Sequence, residues 1–172
     1  MVLKLKDQNH GLLHWLIVNM INKIKFLYTY DKMFEDLDKI NKSLILDNWK
    51  PDIIFGIPRG GLIPAVHLSH SLNAKLEINN TRLNNYLHKQ KNILIVDDIC
   101  DSGETLKSFS LYCFKSYNEY YMNYIQIDNI NSILRFAVLI NNKSQNKFNP
   151  NYYGRIIDKI EDPSWIVFPW EQ

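Results

Sequence analysis

The chain has 172 residues, of which 46% are hydrophobic and 22% charged, and a formal net charge of +2. This describes one core-forming domain, with room for a small appendage, and excludes a wholly disordered chain. The mild positive balance points to no nucleic-acid or membrane partner, the two cysteines (Cys100 and Cys113) exclude a disulfide scaffold and suggest a reducing, cytoplasmic setting, and no run of about 18 apolar residues suggests a membrane span.

Residues 1–28 read as an N-terminal extension ending in a one-faced helix. Leu13, Leu16, Ile17, Met20, Ile21, Ile24, Leu27 and Tyr28 recur at helical spacing. Leu12 to Met20 is apolar like a signal peptide, but His14 and Asn19 interrupt it and no small-residue cleavage site follows. Its basic face is too sparse for a membrane anchor. A helix of this kind packs on its own domain or on a partner subunit, so a homo-oligomer (dimer or tetramer) is expected.

Residues 29–172 read as the main domain. Thr29 caps a helix through Phe34, Leu37 and Ile40. Ile53 to Ile57 is a short, branched, apolar run, as in a buried parallel strand. Pro58-Arg59-Gly60-Gly61 is a turn, Leu62 to Leu72 a helix, Lys75 to Ile78 a short strand, and Asn79 to Gln90 a polar loop. Asn92 to Val96 is a second buried strand, Asp97 to Ser102 a turn, and a helix starts near Gly103. The Tyr- and Asn-rich stretch 116–131 has room for a short extra helix. Arg135 to Ile140 is a third buried strand, Asn141 to Tyr153 a polar loop, and Trp165 to Phe168 a last short strand. Strands alternate with helices, which predicts an α/β fold with a mostly parallel open sheet and helices on both faces.

Two strand-to-helix turns carry chemistry. In Ile93-Leu94-Ile95-Val96-Asp97-Asp98-Ile99-Cys100-Asp101-Ser102-Gly103-Glu104-Thr105-Leu106 an apolar strand delivers paired carboxylates, followed by Ser, Gly and Thr where a helix begins. Hydroxyls, a residue without Cβ and free N–H groups at a helix N-terminus make a phosphate cradle. Asp97 and Asp98 would repel a phosphate, so ribose hydroxyls and hydrated Mg²⁺ suit them better. The ligand implied is a phosphorylated ribose. In Gly56-Ile57-Pro58-Arg59-Gly60-Gly61-Leu62, backbone amides and a guanidinium can grip a doubly charged phosphate group.

The first segment closely resembles the signature of type I phosphoribosyltransferases, which bind 5-phosphoribosyl-1-pyrophosphate (PRPP). Ser102 stands where that family usually has Thr. The second turn is similar to the family's pyrophosphate loop. The resemblance covers roughly residues 29–115 and 133–171. It implies the type I phosphoribosyltransferase fold with a small hood from both ends of the chain, mainly residues 141–172. It also implies that Asp97, Asp98, Ser102, Gly103, Glu104 and Thr105 bind PRPP, with Asp97 and Asp98 also biasing Mg²⁺. Arg59, Gly60 and Gly61 would hold the pyrophosphate, with a strained peptide, for which cis is one form, near Pro58-Arg59.

The C-terminal stretch Lys143, Pro150, Tyr152, Tyr153 and Trp165-Ile166-Val167-Phe168-Pro169-Trp170-Glu171 resembles the hood of purine-using members, especially the xanthine–guanine and hypoxanthine enzymes. Carried over by position, Trp165 stacks on the base, Lys143 meets a 6-oxo group and Ile166 reads the 2-position. Taken alone, Trp165 is also readable as a core aromatic and Lys143 as a solvated lysine. The activity implied is transfer of phosphoribosyl from PRPP to a 6-oxopurine, as in purine salvage, with Mg²⁺ as cofactor and Asp101 as the catalytic residue at purine N7; spacing alone also permits Asp101 to be a helix cap. Residues 79–90 are the candidate for a loop that closes over the site. Three other readings stay open: a PRPP- or nucleotide-sensing regulator without turnover, a transferase for another base, and a structural or interaction module built around the N-terminal helix. His67 and His70 lack a third metal ligand, and Cys100 has no His beside it to activate a thiolate.

Overall fold

The β-branched runs of the chain are too short for helices and too apolar for a surface, so they stack side by side as the centre of one sheet. The computed structural model describes residues 25–121, 127–145 and 147–171. In chain order the elements are β1 (Lys25–Leu27), α1 (Tyr30–Leu46), β2 (Ile53–Gly56), α2 (Leu62–Ser71), β3 (Lys75–Glu77), α3 (Asn80–His88), β4 (Ile93–Cys100), α4 (Glu104–Tyr121), α5 (Ile127–Ile133), β5 (Leu134–Asn142), β6 (Tyr152–Ile157) and β7 (Trp165–Val167). A single 3₁₀ turn, Pro169–Glu171, follows. Among the described residues no helix is long and apolar enough to cross a membrane.

The main sheet has five strands in the order β3-β2-β4-β5-β6, and every pairing is parallel. Helices cover both faces, as expected. On one face Met33, Leu37, Ile40 and Leu44 of α1 and Ala65 and Leu68 of α2 pack on Ile54, Leu94, Val96 and Ala137. On the other, Leu83 and Leu87 of α3, Leu106, Cys113 and Tyr117 of α4, and Ile130 and Ile133 of α5 pack on Ile53, Phe55, Ile93, Ile95 and Val138. The fold is α/β with a parallel open sheet, as the strand–helix alternation predicts.

Four expectations change in detail. Residues 79–90 are not a loop: Asn79 caps α3 by accepting from Arg82 N–H at 3.1 Å, and Leu83 and Leu87, one turn apart, are fully buried. Part of the segment read as a loop over Asn141–Tyr153 belongs instead to strands. β5 runs on to Asn142, and β6 begins at Tyr152 beside Ala137. β4 runs past Val96 to Cys100 because β5 is long enough to pair with it, Asp97 against Val138 and Cys100 against Asn141. Finally, residues 25–27 are a strand rather than a helix end: β1 pairs in parallel with β7, Phe26 opposite Ile166. The helix read over Leu13 to Ile24 lies outside the described residues.

This β1–β7 pair is anchored through one buried carboxylate. Asp36 of α1 is fully buried. It accepts from the Tyr28 hydroxyl at 2.6 Å, from Lys39 Nζ at 3.1 Å and from Arg155 Nε of β6. Burial, then the hydrogen bond to Asp36, pushes the Tyr28 hydroxyl pKa well above its ordinary value. Tyr28 packs edge-on against Phe168 (centroids 5.1 Å apart), which stacks on Trp170 at 5.0 Å. Gly154 is required here, since a Cβ on it would lie 2.2 Å from the Asp36 Cβ. Removing Asp36 strands the buried Tyr28 hydroxyl, while Arg155 keeps Glu35 at 3.7 Å. Replacing Asp36 with Ala is therefore expected to lower unfolding free energy by about 1–3 kcal/mol, read from urea unfolding.

Candidate functional site

From β2 the chain crosses to β3 on one side; from β4 it crosses to β5 on the other. The helices that follow those two strands, α2 and α4, lie on opposite faces. Such a switch in direction opens a crevice at the carboxyl ends of the two strands. Both chemically loaded turns leave the sheet there.

The first turn presses against the end of β4. Ile57 N–H donates to Val96 O at 2.9 Å and Gly61 N–H to Ile57 O at 2.9 Å. The Pro58–Arg59 peptide is cis. A Cβ on Gly60 would lie 2.1 Å from Asp98 Oδ2, and one on Gly61 2.1 Å from Val96 O. A Cβ at Gly61 would strike the backbone of β4, and one at Gly60 would displace the Asp98 carboxylate. Arg59 is exposed at its mouth.

Asp97 and Asp98 are buried, with 8% and 9% of their surface exposed. Asp98 N–H donates to Asp97 Oδ1 at 3.0 Å. Among the described residues neither carboxylate has a cationic partner within 4.0 Å. Burial, reinforced by the charge of Asp98, pushes the Asp97 pKa up to about 7. Burial likewise pushes Asp98 up to about 6; the Ile99 N–H opposes the rise and the charge of Glu171 adds to it. The Trp170 indole N–H is buried without a partner in hydrogen-bond geometry, yet lies close enough to Asp98 to favour its ionised form.

The second turn forms the cradle. Gly103 adopts φ +76°, a left-handed conformation that suits glycine. Glu104 N–H reaches Ser102 Oγ only at 3.4 Å, which leaves the first-turn amides of α4 available to an anion. Asp101 stands beside it, its Oδ1 accepting from Asn142 Nδ2 at 3.1 Å and its Oδ2 3.8 Å from Lys159 Nζ. Lys159 also donates to Ser164 O at 2.9 Å and lies 5.8 Å from the Trp165 ring centroid.

Three cavities meet at Asp98. One, about 480 Å³, is lined by Arg59, Gly60, Asp98, Trp170 and Glu171. A second, about 180 Å³, is lined by Asp97 to Gly103 with Thr105 and Leu106. The third, about 170 Å³, is lined by Asp98, Ile99, Asp101, Lys159, Trp165, Ile166, Phe168 and Glu171. Trp165 is 62% exposed, whereas Ile166 is buried.

Most of the expected site residues therefore gather in one crevice; the Glu104 side chain, paired with Lys147, and Lys143 stand outside the three cavities. Lys143 does not line the third cavity; its Nζ lies 3.3 Å from Asp158. Lys159 stands there instead. Sequence reasoning missed Lys159, Glu171 and the organising Asn142. Glu171 was within reach, as the acid that ends an aromatic motif; Lys159 and Asn142 carry no motif.

The donor set fits Mg²⁺ of one kind. Among the described residues no three His, Cys, Asp or Glu side chains converge to cage a metal. Asp97, Asp98 and Glu171 supply only oxygen, and the two buried aspartates lack a cation. Mg²⁺ commonly takes one or two carboxylates and completes its shell with water and substrate phosphates. This site suits an ion that arrives with a phosphorylated ligand.

No protein-family model matches the chain. Solved structures do. A purine phosphoribosyltransferase from Pyrococcus horikoshii is 25% identical with TM-score 0.60, covering 86% of this chain and 95% of its own. A xanthine-guanine-hypoxanthine phosphoribosyltransferase from Helicobacter pylori is 20% identical with TM-score 0.59, covering 86% and 93%. A hypothetical protein from Neisseria gonorrhoeae, solved with bound ppGpp, is 20% identical with TM-score 0.64, covering 87% and 90%.

The raised carboxylate pKa values set a pH dependence. A group whose folded pKa exceeds its unfolded one binds its proton more tightly when folded. The ligand-free protein therefore loses stability as pH rises from about 4, the unfolded aspartate value, to the folded values of about 6 and about 7. Replacing Asp98 with Asn should flatten this loss and raise Tm at pH 8 by about 3 °C or more, read by thermal denaturation without ligand across pH 4–8.

Proposed function

We propose that the protein is a purine phosphoribosyltransferase, which transfers the 5-phosphoribosyl group of PRPP to a 6-oxopurine and releases pyrophosphate. The supporting observation is the meeting of the three cavities at Asp98. A pentose with an anion at each end and a base beside it matches that layout. The structural likeness to purine phosphoribosyltransferases of two organisms supports the same reading.

In this reading the 5′-phosphate rests on the amides and hydroxyls of Ser102, Gly103, Glu104 and Thr105. Asp97 and Asp98 hold the ribose 2′ and 3′ hydroxyls. Arg59 and the amides of Gly60 and Gly61 take the pyrophosphate. Bound there, Mg²⁺ would offset charge on the phosphates, with Asp98 and Glu171 placed to hold it. The purine lies on Trp165, whose exposed face is worth about 1–3 kcal/mol per stacked base, with the backbone at Ile166 beside its 2-position. N9 forms a bond to ribose C1 as the C1–oxygen bond to pyrophosphate breaks. Asp101 accepts a hydrogen bond or proton from N7. Its alignment comes from Asn142 at 3.1 Å and Lys159 at 3.8 Å. Lys159 is also the cation placed to donate to a 6-oxo oxygen, a role the sequence resemblance gives to Lys143. An adenine amino group there would meet the ammonium unfavourably.

A second reading is a sensor that binds a guanosine nucleotide without turnover. It is favoured by α3, which packs where a closing loop was expected, and by the ppGpp held in one structural neighbour. A panel of guanine, xanthine, hypoxanthine, adenine and orotate with PRPP and Mg²⁺ separates the readings. Pyrophosphate release is expected with at least one 6-oxopurine and neither of the last two bases. Replacing Lys159 with Ala should raise KM for the base about tenfold, the worth of one charge-assisted hydrogen bond, and leave KM for PRPP within about twofold. Replacing Lys143 should affect both far less.

A further inference from the structure

Glu104 is an awkward residue for a phosphate cradle. It is the first residue of α4, in the turn whose amides face the anion, and its carboxylate would repel that anion. Yet Glu104 does not line the cradle cavity. Its carboxylate is ion-paired with Lys147 Nζ, which with the flanking helix residue Lys107 holds its pKa below the ordinary value.

Lys147 is not delivered there by chance. The segment between β5 and β6 is seated on the cradle by Gln145. Gln145 Oε1 accepts from Lys147 N–H at 2.8 Å and from Phe148 N–H at 3.1 Å. The same oxygen lies 2.5 Å from where a Cβ on Gly103 would be. Gln145 Nε2 donates to Phe148 O and comes within 3.4 Å of Cys100 Sγ. Phe148 packs edge-on against Phe136 at 4.9 Å. Gly103 thus serves two needs, its positive φ and room for this strap. Lys147 and Glu104 are 43 residues apart in sequence and are joined by the seat.

We propose that Lys147 is a positioning residue for the 5′-phosphate subsite: it turns the Glu104 carboxylate away from the cradle and offsets its charge, so that a dianion can bind. This rests on the phosphoribosyl reading above and deepens it. Lys147 acts through Glu104, so its loss matters only while Glu104 is charged. The subsite then binds any phosphorylated pentose, and the pyrophosphate turn is indifferent to the pair.

The test is calorimetric titration of the full chain with ribose 5-phosphate, PRPP–Mg²⁺ and pyrophosphate–Mg²⁺, alongside steady-state kinetics. Lys147→Ala should weaken ribose 5-phosphate and PRPP by about the same factor, about three- to fivefold for an exposed pair. Pyrophosphate affinity and kcat should stay within about twofold. Glu104→Gln in the Lys147→Ala background should restore most of the lost affinity, and Lys147→Arg should retain it. Unchanged affinity in Lys147→Ala, or no recovery in the double variant, overturns the inference alone. Failure of the unsubstituted chain to bind PRPP overturns the phosphoribosyl reading with it.

Discussion

The site depends on one close approach: the backbone of the 58–61 turn lies against the carboxylate end of β4. Gly60 and Gly61 leave no room for a Cβ beside Asp98 and Val96. That contact exists because β2 and β4 are neighbours in a parallel sheet while the helices that follow them leave to opposite faces. An anion grip and a pair of carboxylates thus share one crevice.

Electrostatics make the crevice expensive when empty. Two buried aspartates and the nearby Glu171 repel one another without a cation. The groups that would relieve them, ribose hydroxyls and a metal carried by phosphates, are those a PRPP-like ligand brings. Opposite this acidic floor lies the β1–β7 pair, which carries Trp165 and Ile166. Its placement comes from the buried Asp36, which ties Tyr28 after β1, Arg155 of β6 and α1 into one network. Residues 25–27 and 165–167 therefore meet beside the third cavity, since Phe26 pairs with Ile166 next to the exposed ring of Trp165.

Much of this was legible in the residues. The apolar runs at 53–57, 92–96 and 135–140 announced buried parallel strands, and the two chemically loaded turns do leave the sheet at one crevice. The misses have physical causes. In 79–90 a polar surface hid two leucines one turn apart, and those two set the helix. β6 is half-exposed and interrupted by Gly154, whose reason for being is a contact with Asp36 more than 100 residues away. Residues 25–27 fit a helical period because three residues cannot distinguish periods; their pairing with β7 decides. Lys143 and Lys159 both lie in polar stretches, and only the fold shows that the first faces Asp158 and the second Asp101 and Trp165.

The most direct measurement of the central claim is a crystal structure of the protein soaked with PRPP and Mg²⁺ at saturating concentration. The account predicts the 5′-phosphate on the amides of Ser102 to Thr105, the ribose hydroxyls on Asp97 and Asp98, and the pyrophosphate against Arg59, Gly60 and Gly61. A ligand whose phosphates lie elsewhere, such as in the hollow lined by Leu44, Trp49 and Leu72 at the far end of α1, or a crevice with no ligand in it, would contradict the account.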